Sequence, residues 1–228
     1  LCLAGLFPKP RPMWMAPAFV AAFGDAFVEK STLEGSSNLA WSYSVINYAL
    51  QRMLKNPLFC NEDFGLNFKS RIALSDSLHI MQQSAVIFKL MVRMLKTPTE
   101  SQLLSFLRKL KKFLLNINTG EALLLPAFIE SKELIILLER NNERVFKVVI
   151  IQTDPYSGLR HHTTSPAALL PHITYRTCMV LNDVPKKNVL DDVFWMALYN
   201  MAIHHHEGDT DKFYDVLLPF LTGKPLET

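Results

Sequence analysis

The texture of the chain changes at Gly120, and that change constrains the fold more than any other feature. Before it, apolar residues recur at the three- and four-residue spacing of one buried helix face. After it come dense apolar runs such as Leu134-Ile135-Ile136-Leu137-Leu138 and Val148-Val149-Ile150-Ile151. Runs this short and this rich in Ile and Val indicate strands, covered on both faces. Helices first and strands after them define an α+β chain.

Upstream, Gly35-Ser36-Ser37 forms a turn ahead of a helix over 38–55, with Trp41, Val45, Tyr48, Ala49 and Met53 on its buried side. Asn56-Pro57 stops that helix, because the residue before proline is pushed out of the α region. A second helix over 70–96 carries Ile72, Leu78, Met81, Ala85, Phe88, Val92 and Leu95, and Thr97-Pro98 breaks it. Thr99 can cap a third, which runs to about Asn116 and turns Leu103, Leu104, Phe106, Leu107, Leu110, Phe113 and Leu114 inward. The cluster Arg108, Lys109, Lys111 and Lys112 falls largely on its outer side and reads as a solvated face.

Downstream, strands are expected over 121–128, 133–140, 144–152 and 175–181. Asn141-Asn142 is the expected two-residue hairpin turn, since Asn tolerates positive φ. A helix over 189–203 opens on Asp191 and Asp192, which suit its dipole. A polar loop over 204–211 and a short helix over 211–221 follow, ending before Gly223 and Pro225. The expected architecture is an N-terminal helical half packed on a mostly antiparallel sheet with closing C-terminal helices. Residues 1–30, rich in Pro, Phe and Met, read as a docking arm. Residues 31–228 read as one domain, helical over 31–118 and sheet-bearing over 119–228.

Composition narrows the function classes. With 24 basic and 21 acidic residues among 228, the net charge of +3 gives no global field to collect nucleic acid. Apolar residues make up 49%, too many for a chain disordered over most of its length. No apolar run reaches the roughly 18–20 residues of a membrane-spanning helix. Cys2, Cys60 and Cys178 match neither a disulfide framework nor a zinc spacing, and read as reduced thiols of a cytoplasmic protein. The chain begins at Leu1 and reads as a piece of a longer polypeptide, with no signal peptide in its opening residues.

No cofactor is implied, since none of the eight glycines forms a phosphate cradle. No metal site is implied either. His204-His205-His206 with Glu207, Asp209 and Asp211 is the densest group of ligand types, but consecutive side chains diverge, and the stretch reads as an exposed polar loop. His79 reads as a structural or surface residue, and Met81, Met91 and Met94 as core.

Three segments, in order, resemble the catalytic layout of papain-like cysteine peptidases. Gly35-Ser36-Ser37-Asn38-Leu39-Ala40-Trp41 resembles the start of the nucleophile helix, where the dipole and free N–H groups stabilise a thiolate. Glu130-Ser131-Lys132-Glu133-Leu134 resembles the strand that carries the base. Val149-Ile150-Ile151-Gln152-Thr153-Asp154-Pro155 resembles the strand that ends in the orienting acid. The tracts 153–162 and 175–226 are similar to deubiquitinase-like domains of large multidomain proteins, and the resemblance covers most of residues 31–226.

The resemblance implies a papain-like fold with Ser37 at the nucleophile position, Lys132 at the position of the base and Asp154 as orienting acid. The family pattern has Cys and His at the first two. Ser37 reads either as natural loss or as a replacement of the thiol. A Ser37–Lys132 dyad would require a buried, neutral lysine. His161 and His162, about seven residues beyond Asp154, are the candidate substitute bases. The resemblance thus implies a catalytically inactive pseudo-peptidase serving as a protein-interaction or scaffolding module. Its partners would be proteins or neighbouring domains, ubiquitin or a ubiquitin-like protein among them. Two alternatives stand beside it: an active deubiquitinase-like cysteine hydrolase whose nucleophile is replaced by Ser37, and a structural segment of a large assembly held through residues 1–30.

Overall fold

The computed structural model describes residues 47–48, 50–51, 54–55, 68–130, 132–152, 162 and 176–226. Its elements are α1 (Phe68–Lys96), α2 (Glu100–Leu115), β1 (Ala122–Ile129), β2 (Lys132–Arg140), β3 (Val145–Ile151), β4 (Cys178–Pro185), α3 (Lys186–Val189), α4 (Asp192–His204), α5 (Asp209–Lys212), a π-helical segment (Phe213–Leu217) and α6 (Leu218–Thr222). The described residues between 47 and 55 are helical. The molecule is α+β, as its texture implies. It divides into two units, Leu1–Val86 and Ile87–Thr228. The expected arm over 1–30 lies outside the described residues.

In the first unit, Met81 and Ala85 are buried, whereas Ile72, expected on the inner face of its helix, is exposed. The second unit takes in α2 as well as the sheet, because Leu103, Phe106, Leu107, Leu110 and Leu114 share one core with the strands. Thr99 caps α2: its hydroxyl accepts from the N–H of Gln102 at 3.2 Å. Arg108, Lys109 and Lys112 are exposed, and Lys111 pairs with Asp192 at 2.7 Å on the surface.

The sheet is a meander of order β1-β2-β3-β4, antiparallel throughout. Leu123, Leu125, Ile136, Leu138, Phe146, Val148 and Ile150 are fully buried in the core shared with the helices. Each large side chain withdrawn from water contributes about 1.5–3 kcal/mol, so this layer is a substantial part of the driving force. The opposite face carries Leu124, Ile135 and Leu137, all half-buried. The alternation along β2 is therefore that of a strand with one fully covered face.

The tight connection in the sheet is not the expected one. Ile129 pairs with Lys132, so the tight connection lies between β1 and β2, where Glu130 takes the positive φ of 50°. Between β2 and β3 the last pair is Arg140 with Phe146, which leaves a longer loop. Asn142 serves there through its side chain, whose Oδ1 accepts from the N–H groups of Arg144 and Val145 at 2.8 and 3.1 Å. Asparagine suits both designs, and its side-chain turn prevails over the positive-φ one.

Arg140 holds this loop. It is nearly buried and donates to the carbonyl of Ile117 (2.7 Å), the carbonyl of Asn142 (3.2 Å) and the Glu143 carboxylate (2.7 Å). Arg140→Met should lower the unfolding free energy by about 2–3 kcal/mol, because it strips a buried carbonyl of its donor. Glu143→Gln, which changes only the exposed partner, should cost about 0–1 kcal/mol. Urea unfolding that shows equal losses for the two would contradict this account.

β4 starts three residues later than expected and runs on to Pro185, through an irregularity opposite Phe146–Val148 where Asp183 takes φ 56°. Asp191 caps α4, its Oδ1 accepting from the N–H of Val193 at 2.8 Å. The last helix begins at Asp209, two residues early, and holds a π segment that periodicity does not reveal. Pro219 supplies the reason. It has no N–H to give and its ring crowds the preceding turn, and the wider π turn accommodates it.

Candidate functional site

Of the five positions singled out in the sequence, Ser37, Asp154 and His161 lie outside the described residues. Lys132 opens β2, with its backbone opposite Ile129. His162 is the one whose side chain is described, and it sits in the interior, 4% exposed.

The His162 ring is held at both nitrogens. Nδ1 lies 2.8 Å from the carbonyl oxygen of Arg176, and a carbonyl only accepts, so Nδ1 carries the proton. In the neutral ring Nε2 then accepts from the Tyr214 hydroxyl, 2.9 Å away. The two rings meet edge-on with centroids 5.6 Å apart. Tyr214 comes from the π segment, whose extra residue per turn sets where its hydroxyl points. Burial pushes the Tyr214 phenol far above its ordinary range, so it stays a donor. A base must offer an accessible nitrogen lone pair to a substrate proton. Here that lone pair is engaged inside the protein.

A second buried tyrosine packs against β1. Tyr199 of α4 donates to the carbonyl of Pro126 at 3.1 Å and packs edge-on against Phe106 at 4.8 Å. Burial raises its phenol even further. Neither tyrosine stands out in the sequence: each falls within an apolar helical stretch, and its hydroxyl partner lies 52 or 73 residues away.

The histidine-rich loop is built as a capped corner. His204, His205 and His206 are exposed, with His204 and His206 stacked at 6.4 Å. Asp209 is buried beneath them, accepting from the His206 N–H at 2.8 Å and from Lys212 at 3.0 Å. Burial opposes its charge, but those donors outweigh burial and hold the carboxyl below its ordinary range. Glu130, at the β1–β2 turn, accepts from the N–H and hydroxyl of Thr210 at 3.2 and 2.9 Å, tying the hairpin tip to α5. Among the described residues no three His, Cys, Asp or Glu side chains converge on a metal-sized site.

A concave surface lies elsewhere among the described residues. A groove of about 330 Å³ runs beside β4, between that strand and the segment after α6, with Arg176, Val180, Asn182, Thr222, Lys224 and Leu226 among its lining. Its ionised groups, Arg176, Asp183 and Lys224, are all exposed, and Met179, Val180 and Leu226 give it an apolar part.

These features define an α+β protein with a four-stranded antiparallel meander backed by helices, an interior His–Tyr pair and a groove along one sheet edge. No family model, no curated protein and no solved structure matches the chain. Among the described residues no helix is long and apolar enough to cross a membrane.

Proposed function

We propose that this chain is a catalytically inactive papain-like domain, a pseudo-peptidase that works by protein contact as an interaction or scaffolding module. The observation that carries the proposal is the state of His162. It is the one candidate substitute base whose side chain is described, and both of its ring nitrogens are engaged within the protein, Nδ1 by the Arg176 carbonyl and Nε2 by the buried Tyr214 hydroxyl. Ser at position 37 and Lys at position 132, where the family pattern has Cys and His, point the same way. A serine hydroxyl without a neighbouring base is a poor nucleophile at neutral pH. Proteins or neighbouring domains are the partners in this reading, with ubiquitin or a ubiquitin-like protein as the first to test.

The decisive experiment restores the missing thiol. The chain and its Ser37→Cys variant are each given ubiquitin bearing a C-terminal fluorogenic amide, and separately a fluorogenic peptide. Neither should release fluorophore above the buffer blank. Turnover by Ser37→Cys would overturn the inactive reading and favour a hydrolase whose thiol is replaced.

A further inference from the structure

The two edges of the sheet are treated differently. On β1 the hydrogen-bonded pairs with β2 include Arg140 with Glu121, since the Arg140 N–H donates to the Glu121 carbonyl. Alternation then directs the backbone of Leu124 and Pro126 outward. Pro126 has no N–H there, and its outward carbonyl is taken by Tyr199. That edge is closed to another strand.

On β4 the Gln152 N–H donates to the Thr177 carbonyl, so Gln152–Thr177, Ile150–Met179 and Val148–Leu181 are the hydrogen-bonded pairs. The backbone N–H and C=O groups of Cys178 and Val180 therefore point away from β3. No described strand lies beyond them. Cys178 and Asn182 are exposed and Val180 is 49% exposed. Between Cys178 and Val184 there is no proline or lysine, the residues that usually guard an edge. The groove runs along this strand, walled on its far side by Thr222, Lys224, Pro225 and Leu226.

We propose that the open edge of β4 is a docking site for a single extended peptide of a partner protein, which adds to the sheet as a fifth strand. This rests on the reading of the domain as an interaction module. A volume of about 330 Å³ is at the lower end of ligand clefts and holds a few residues of one extended chain. The groove's far wall, from Thr222 to Leu226, stands in the way of a second sheet arriving edge-on, so a single extended chain is the occupant that fits. Main-chain hydrogen bonds to Cys178 and Val180 would give affinity, and alternate side chains would reach Met179 and Leu226 on one side and Val180 on the other. Arg176 and Lys224 line the groove against one carboxylate, Asp183, so the peptide should be apolar at alternate positions and carry an acidic residue.

The probe is an acetylated hexapeptide of alternating valine and threonine ending in glutamate, added to the 228-residue chain. Amide exchange at Cys178 and Val180 should slow at least tenfold on saturation, with Met179 and Leu181, already paired to β3, unchanged. Val180→Pro removes an N–H that the fold does not use, and should weaken binding at least tenfold while leaving the unfolding midpoint close to that of the parent. The absence of protection at about 1 mM peptide, where even weak complexes form, would overturn the proposal. So would protection that survives Val180→Pro, or protection that appears without peptide and grows with protein concentration, which would assign the edge to a second copy. Turnover by Ser37→Cys would sink the inactive reading while leaving edge binding to stand or fall by its own result.

Discussion

Raising the pH above 10 should unfold this protein more steeply than exposed tyrosines would allow, by about 3 kcal/mol of stability per pH unit. Tyr199 and Tyr214 are the cause. Burial holds both phenols protonated in the folded state, each donating to an interior acceptor, Pro126 or His162. In the unfolded chain both ionise near pH 10. Below that pH the two states carry the same protons at these sites, and no stability depends on them. Above it the unfolded state releases two protons that the folded state keeps, so stability falls by about 1.4 kcal/mol per unit for each tyrosine. By pH 12 the accumulated loss, about 5 kcal/mol, rivals the whole stability of an ordinary domain. Urea unfolding followed by tryptophan fluorescence from pH 9 to 11.5 measures the slope. Tyr199→Phe and Tyr214→Phe should each remove about half of it, and a slope untouched in the double variant would show that the phenols do not control this limb.

His162→Ala should cost about 2–4 kcal/mol, an effect on folding rather than on any reaction. The substitution removes the donor to the half-buried Arg176 carbonyl and the acceptor of the Tyr214 hydroxyl together, and leaves the buried Tyr214 hydroxyl without its acceptor. Unmade buried hydrogen bonds are expensive because water cannot replace the lost partner. His162→Gln offers one amide donor and one carbonyl acceptor at similar reach and should recover part of the loss. Thermal and urea unfolding of the two variants decide the matter. A His162→Ala protein as stable as its parent would mean that the ring is dispensable inside, which would reopen a chemical role for it.

Much of the architecture was legible in the residues alone. The switch from helical to strand texture at Gly120, the break at Thr97-Pro98, the Thr99 cap and the acidic opening of α4 all concern neighbours within a few positions, where propensity and capping act, although the helix expected from 189 begins at Asp192, after the separate α3. Met81, Met91 and Met94 are buried as their helical spacing implied. The connection at Asn141-Asn142 was harder. Asn is favoured both at positive φ and as a side-chain acceptor of turn N–H groups, and the sequence does not say which will operate. The left-handed turn fell instead to Glu130, a residue with no such signature, because β1–β2 pairing brings Ile129 opposite Lys132.

The candidate site divides along the same line. Residue types could mark Ser37, Lys132, Asp154, His161 and His162 as chemically interesting, because a motif is a local pattern. They could not reveal that His162 meets Tyr214 across 52 residues, nor that Pro126 and Tyr199 seal one sheet edge while no strand among the described residues covers β4. Sequence alone determined the class of the fold and the order of its elements, since backbone preference and hydrophobic period are short-range properties. Only the tertiary structure decided which polar groups find partners in the interior and which edge faces outward. Those outcomes depend on strand register and helix packing, where a shift of one residue turns every side chain and every amide to the opposite side.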